Sequence, residues 1–367
     1  MADLIAAETA HEEAVTRKTH DVQARAWRRW KLYTESIGCD DPFLDGLDKA
    51  SKIKLMGAFA MALREGRYSR RAHDTLVEAT IRNTISYVAQ TFREEGRPNP
   101  TRDDDGELGR LLSRLYRSFR NRDPAEKQQK AIPLCVLKEL ANLRSTEKQK
   151  AVYQLSLGAF FFAMRSCEYV EVKDYSSRRT KRLCLRNLCF RRDGAVLPHD
   201  DPNLHLADTI SILFEKQKKE ERNDEITQHS SGETLLNPTR LWAAITKRIR
   251  SYPGANDDTP VSAVWRNNRI EHITADDIIN AIDAAADSIG YERLGLQKGD
   301  LGTHSIRSGA AMAMYLDEVP IYTIMMLGRW SSDAFLRYIR KQVEQFSHNI
   351  SKRMIKHQEF RHIPLRA

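Results

Sequence analysis

The chain has 367 residues, 41% hydrophobic and 30% charged, which is enough to bury two cores and ordinary for a globular protein. Lys and Arg number 59 against 50 Asp and Glu, and the net charge of +9 suits a polyanionic partner, because each phosphate neutralised releases counterions. The longest apolar run, 155–164, is too short to span a bilayer, residues 1–14 lack the basic-then-apolar layout of a secretory leader, and five scattered cysteines fit neither a disulfide framework nor zinc-ligand spacing. The composition therefore reads as an intracellular protein with no membrane partner, no metal and no cofactor. The thiols of Cys39, Cys135, Cys167, Cys184 and Cys189 are expected to be reduced and mostly buried.

Residues 1–15 read as a flexible N-terminus. From 16 to 125 the pattern is that of a helical domain, with apolar residues at three- and four-residue spacing, as in Leu55, Phe59, Ala60 and Leu63. Basic clusters recur within it. Arg25, Arg28, Arg29 and Lys31 interleave with Trp27 and Trp30, while Arg64, Arg67, Arg70 and Arg71 surround Gly66 and Tyr68. At about 100° per residue, a helix over 110–122 sets Arg110, Arg114 and Arg117 on one side, with Arg120 flanking. Leu111, Leu112, Leu115, Tyr116 and Phe119 fall on the other side. One basic stripe is usually a solvated face; three in one helical region point to DNA contact.

A polar segment with Pro124 marks a boundary near 125, and a second domain is expected over 126–355, with a tail over 356–367. Helices are predicted over 134–143 and 151–164, the latter apolar nearly all round, as at a domain centre. The period then changes. Strands are predicted over 183–190, 208–215 and 225–229, with 216–224 a charged hairpin tip turning at Asn223 and Asp224. From 241 to about 355 the pattern is helical, and no repeat or low-complexity tract interrupts it. The fold class is α+β, mostly α, with a helical N-terminal domain and a mixed α/β domain holding a small antiparallel sheet.

Several residues of the second domain carry potential chemistry. Arg165 ends the apolar helix, and Glu168, three residues on, is placed to pair with it. A plain buried ion pair would account for both. His304 and Arg307 stand three apart at a helix start, with Thr303 as N-cap, an arrangement able to bind an anion or simply to cap a helix. Leu327-Gly328-Arg329-Trp330 follows, then Tyr338 between Arg337 and Arg340, with Lys341 beyond, in a positive field that favours a phenolate and attracts phosphate. Most tyrosines on helices merely pack.

The order of these elements resembles the tyrosine recombinases, also called the phage integrase family: Arg with Glu three later, a hairpin lysine, H-x-x-R, then G-R-W and Tyr. The likeness covers roughly 129–352 and looks closest to recombinases of eukaryotic mobile elements. It implies a helical core-binding domain and a catalytic domain closing on duplex DNA as a C-shaped clamp. It also implies homo-tetramers on two DNA sites, nuclear localisation in a eukaryotic host, and cleavage through a 3′-phosphotyrosyl bond without metal, ATP or nucleotide cofactor. By position, Tyr338 resembles the nucleophile, Arg165 and Arg307 the arginines that stabilise charge on phosphate, His304 the base or orienting donor, and Glu168 the acidic companion of Arg165. Lys218, in the pair Gln217-Lys218, matches the general acid, with Lys216 and Lys219 as alternatives. The family usually places His or Trp directly after Leu-Gly; here Arg329 holds that register and Trp330 lies one residue on, so the resemblance implies Trp330 as the functional equivalent with Arg329 as a supporting residue, or else Arg329 itself in that position. A type IB topoisomerase-like relaxing enzyme and a domesticated, catalytically silent DNA-binding protein are the competing readings.

Overall fold

The computed structural model describes residues 16–68, 75–124, 129–172, 180–216 and 222–332, with the isolated positions 3, 6 and 336. Among the described residues helices predominate, with a small antiparallel sheet in the second unit. It divides into two compact units, Met1–Glu126 and Lys127–Ala367. No helix among the described residues is long and apolar enough to cross a membrane.

The first unit contains α1 (Arg17–Ser36), α2 (Lys49–Arg64), α3 (Glu78–Glu94) and α4 (Arg110–Arg122). Asp48 starts α2 by accepting the Ser51 N–H at 2.6 Å, satisfying one of the donors a helix start leaves open. Aromatic side chains hold the bundle together. Trp30, Phe59, Phe92, Tyr116 and Phe119 are buried, and the Trp30 indole N–H donates to the Pro42 carbonyl at 2.7 Å. On α4 the expected division holds for Arg110, Arg114 and Arg117, which are exposed, and for Leu112, Tyr116 and Phe119, which are buried. Leu111 departs from it, being 41% exposed at the edge of the α2 contact, where only the missing side chain of Gly57 lets it approach.

The second unit is built around α6 (Glu147–Phe161), every residue of which from Ala151 to Phe160 is buried. Thr146 and Gln149 form a capping box at its start, one turn earlier than the apolar run suggests. Around α6 pack α5 (Leu134–Asn142), α8 (Pro238–Arg250), α9 (Ala275–Ile289) and α10 (Thr303–Leu316). Trp242 of α8 lies against Gly158, where a Cβ would come within 3.1 Å of its ring. Two short helices, α7 (Ser166–Tyr169) and α11 (Ile321–Gly328), complete the helical part.

The main sheet is fully antiparallel, ordered β2-β1-β3-β4, with β1 Leu188–Arg192, β2 Ala195–Leu197, β3 Thr209–Lys216 and β4 Arg222–His229. Phe190 pairs with Ile210, and Ile212 with Ile226, so one face of the sheet meets the core. Asp193 and Gly194 both take positive φ (50° and 79°), the left-handed geometry of a two-residue hairpin turn.

Several sequence expectations are corrected. The predicted strand over 183–190 begins only at Leu188, because Asn187 turns back to accept the Cys184 N–H at 2.9 Å and holds Leu185–Asn187 as a 3-10 turn. Asn223 and Asp224 lie inside β4 and are not turn residues; Asn223 keeps a φ of 54° there. The helical reading from 241 onward is interrupted by a hairpin, β5 (Ala263–Arg266) and β6 (Arg269–His272), turning at Asn267 and Asn268 with φ of 51° and 57°. Four-residue strands are too short to display an alternating period. The cysteines are mostly not buried: Cys184 is, Cys135 is exposed, and Cys39, Cys167 and Cys189 lie between.

The strand of chain before α5 runs hard against α10. Ile132 donates its N–H to the Ser305 carbonyl at 3.0 Å, and a Cβ at Gly309 would stand 2.7 Å from the Ile132 carbonyl oxygen. Backbone cannot yield as a side chain does. Gly309→Ala is therefore expected to destabilise the second unit by about 1–3 kcal/mol, the usual scale of overpacking. Urea unfolding of the full chain measures this, and an unchanged midpoint would contradict the packing described.

Candidate active site

Where α6 ends, the chain makes an abrupt turn. Ala163 takes a φ of 43°, and Arg165, with φ −80° and ψ 143°, becomes the N-cap of α7 instead of continuing α6. Glu168, in the first turn of α7, folds back on it. Its Oε2 accepts the Arg165 backbone N–H at 2.8 Å and its Oε1 accepts Nη1 of the same residue at 3.1 Å. The pair read from the sequence is thus present, but through a cap and not along one helix face. Glu168 is almost wholly enclosed, while the Arg165 side chain remains 19% exposed.

A second guanidinium reaches the same carboxylate. Arg329 Nη2 donates to Glu168 Oε2 at 2.8 Å, its Nη1 donates to the Phe162 carbonyl at 3.1 Å, and its guanidinium carbon lies 3.7 Å from the centre of the Phe214 ring on β3. Arg329 is buried; that burial pushes its pKa down, and the Glu168 charge acts against the shift. Its carbonyl in turn accepts Arg165 Nη2 at 3.3 Å.

Arg307 enters from α10, one turn inside the helix whose N-cap is Gly302, not Thr303. It is 1% exposed and donates to the Ala163 carbonyl and, at 2.5 Å, to the Gly328 carbonyl. The Trp330 ring covers it, with its centre 4.2 Å from the guanidinium carbon. His304 is exposed, so the i, i+3 pair splits between solvent and interior.

These contacts share one electrostatic logic. Phe162 and Ala163 lie at the C-terminal end of α6, and Gly328 and Arg329 at that of α11, where helix carbonyls lack intrahelical partners and carry partial negative charge. The arginines supply the missing donors. Three guanidinium groups, set against the carboxylates of Glu168 and the nearby Asp224, leave a local positive excess in fixed geometry, suited to an anion.

The hairpin joins from the sheet side. Glu168, Arg182, Phe214, Glu215 and Lys216 line one small cleft. Hydrogen bonds from Arg186 and Asn187, both at 2.9 Å, hold the Glu215 carboxyl down at a pKa of about 2 and pin the base of the β3–β4 hairpin. Lys216 thus lines the same cleft as Glu168; Lys218 and Lys219 lie outside the described residues. So does Tyr338.

Sequence reasoning had no way to name the carbonyls of Phe162, Ala163 and Gly328, since backbone acceptors leave no residue-type signature. Phe214 was legible only as a buried strand residue. Gly328 carried a signal in its place before Arg-Trp: a Cβ there would fall 1.7 Å from the Trp330 ring.

No family model and no curated protein matches this sequence. Solved structures do match. The Tn1549 transposon integrase in complex with circular intermediate DNA aligns over 96% of this chain and 98% of that one, with 13% identity and a TM-score of 0.54. A lambda integrase dimer bound to a COC′ core site aligns over 98% and 96%, with 13% identity and a TM-score of 0.50. The fold is that of the tyrosine recombinases.

Within this tyrosine recombinase fold, the basic residues of the first unit are distributed unevenly. Arg25 and Arg29 line a groove of about 380 Å³ between α1 and α3, together with Thr80, Asn83, Thr84 and Tyr87. Arg28, Lys31, Arg110, Arg114 and Arg117 are exposed, and Arg67 pairs with Glu65 at 3.0 Å. Arg64 does not join them: it is tied to Asp123 and to the Leu76 carbonyl, and serves the fold. Arg70 and Arg71 lie outside the described residues.

Gly328→Ala forces the Trp330 ring off Arg307. Losing a cation–π contact and its packing is expected to cost about 1–2 kcal/mol, lowering the melting temperature by a few degrees. A melting temperature within about 1 °C of wild type, on the same scale, would show that the ring does not need that space.

Proposed function

We propose that this chain is a site-specific DNA recombinase or integrase that breaks and rejoins duplex DNA through a 3′-phosphotyrosyl intermediate, encoded by a mobile element. The observation that carries the reading is the meeting of Arg165, the N-cap of α7, with Arg307, from α10, around Glu168, Arg329 and Trp330. Convergence of such distant segments on a cluster with excess positive charge is what phosphoryl transfer asks for. A solvated set of surface charges would not require it. The DNA bound by the Tn1549 and lambda integrases in their complexes supports duplex DNA as partner.

On this reading the Tyr338 phenol oxygen attacks the scissile phosphorus and the 5′-oxygen leaves, taking a proton from Lys218, or from Lys216 or Lys219 if the hairpin register differs. Arg165 and Arg307 stabilise the charge building on the non-bridging oxygens. His304, exposed at the start of α10, accepts the phenol proton as base or serves as an orienting donor. Trp330 holds the Arg307 guanidinium flat. The phosphotyrosyl bond keeps the energy of the phosphodiester, so rejoining is the reverse attack by a 5′-hydroxyl. Arg25, Arg29 and the α4 arginines grip the backbone, and assembly is a homo-tetramer spanning two sites.

Suicide duplexes built from DNA flanking the gene test the chemistry on denaturing gels. Tyr338→Phe is expected to shift DNA as wild type does yet form no covalent adduct; an adduct persisting in that variant sinks the assignment. Adducts formed on any duplex, with plasmid relaxation and no site preference, would favour a topoisomerase-like enzyme.

Arg165 is the better arginine for a quantitative test, because Arg307 is wedged between two backbone carbonyls and its removal also damages the fold. Arg165→Ala should slow adduct formation by on the order of a hundredfold or more, the scale of losing one oxyanion donor. A loss below about threefold contradicts the role.

A further inference from the structure

We infer that Arg329 is a positioning residue for cleavage: the Gly-Arg-Trp tripeptide divides its work so that Arg329 sets Arg165 through Glu168 while Trp330 covers Arg307. The inference rests on the recombinase reading and adds to it a role for a residue that does not itself touch the phosphate.

Three observations carry it. First, Arg329 has a φ of 55° and ψ of 51°, a left-handed conformation that costs a side chain other than glycine, and such strain persists only where the surroundings enforce it. Second, that conformation sends two groups of one residue to the two ends of the Arg165 anchor. The side chain neutralises Glu168 at 2.8 Å, and the carbonyl accepts Arg165 Nη2 at 3.3 Å. Glu168, which holds the Arg165 backbone and Nη1, is thus a buried carboxylate that Arg329 shares with Arg165, and the second guanidinium helps to balance its charge. Third, the neighbours of Arg329 are committed elsewhere. Gly328 is the space that admits the Trp330 ring, and Trp330 lies on Arg307. Two successive residues thus serve two different guanidinium groups.

The contact with Phe214 extends the same device to the strand that leads into the hairpin. Arg329 links the end of α6, the start of α7, the end of α11 and β3 through its own atoms.

Arg329→Lys keeps a positive charge beside Glu168 but loses the planar fork that spans Glu168 and the Phe162 carbonyl. Arg329→Met combined with Glu168→Gln removes charge and counter-charge together, avoiding a lone buried carboxylate. Both are made in the full chain, with Arg165→Ala as reference, and adduct formation is timed on suicide duplexes carrying either the natural scissile phosphate or a methylphosphonate. Replacing the anionic oxygen by a methyl group removes the charge that Arg165 is there to meet. On phosphate, each Arg329 variant that keeps wild-type melting and DNA binding is expected to lose roughly thirtyfold or more, the scale of a displaced catalytic group. On methylphosphonate the deficit of that variant, like that of Arg165→Ala, should shrink to within about threefold of wild type.

Equal losses on both substrates, wild-type rates on phosphate, or failure of both variants to keep wild-type melting and DNA binding would reduce Arg329 to a fold residue and overturn the inference. A wild-type chain forming no adduct on either duplex overturns the recombinase reading itself, and this inference with it.

Discussion

A carboxylate with 2% of its side chain exposed is the constraint around which the second unit is arranged. Moving an ionised carboxyl out of water costs several kcal/mol unless charge and hydrogen bonds replace the hydration. Glu168 receives both, from one amide and two guanidinium groups supplied by residues far apart in the chain. The carboxylate cannot be satisfied until α6, α7 and α11 are all in place.

The arginines are held by backbone as much as by charge. Carbonyls at the C-terminal ends of α6 and α11 accept from Arg165, Arg307 and Arg329, so each guanidinium is oriented by rigid helix ends and not by flexible side chains alone. Donors fixed in this way need little reorganisation when negative charge develops opposite them, which is the property that makes pre-set hydrogen bonds effective in catalysis. Phe214 and Trp330 add flat, apolar surfaces that keep water from two of the three guanidinium groups and strengthen the electrostatics within.

Legibility from the sequence followed the strength of local signals. The bounds of the helix Arg110–Arg122 were readable, because its arginines and apolar side chains keep a helical period, and only the exposure of Leu111 departed from it. The central helix α6 was readable from its nearly all-round apolar character, though neither its capped start at Thr146 nor its end at Phe161, short of the predicted 164, was. The β5–β6 hairpin escaped, its strands being four residues each, and the Asn267-Asn268 turn was its only local mark. The closeness of Arg165 and Glu168 followed from their spacing, whereas the meeting of Arg329 with that pair depends on tertiary contact and on a left-handed backbone that sequence spacing does not encode.

That backbone conformation also sets the Arg329 and Trp330 side chains on different tasks. On a continuing helix, residues 329 and 330 would point about 100° apart and could not serve neighbouring sites from opposite sides. The left-handed turn at Arg329 ends α11 and redirects the chain, so that the Arg329 side chain enters the core toward Glu168 while the Trp330 ring folds back over Gly328 onto Arg307. A single large residue directly after Gly328 could cover one guanidinium or brace the carboxylate, but not both. Using two residues at this corner separates covering from bracing, and the glycine before them is what gives the second enough room.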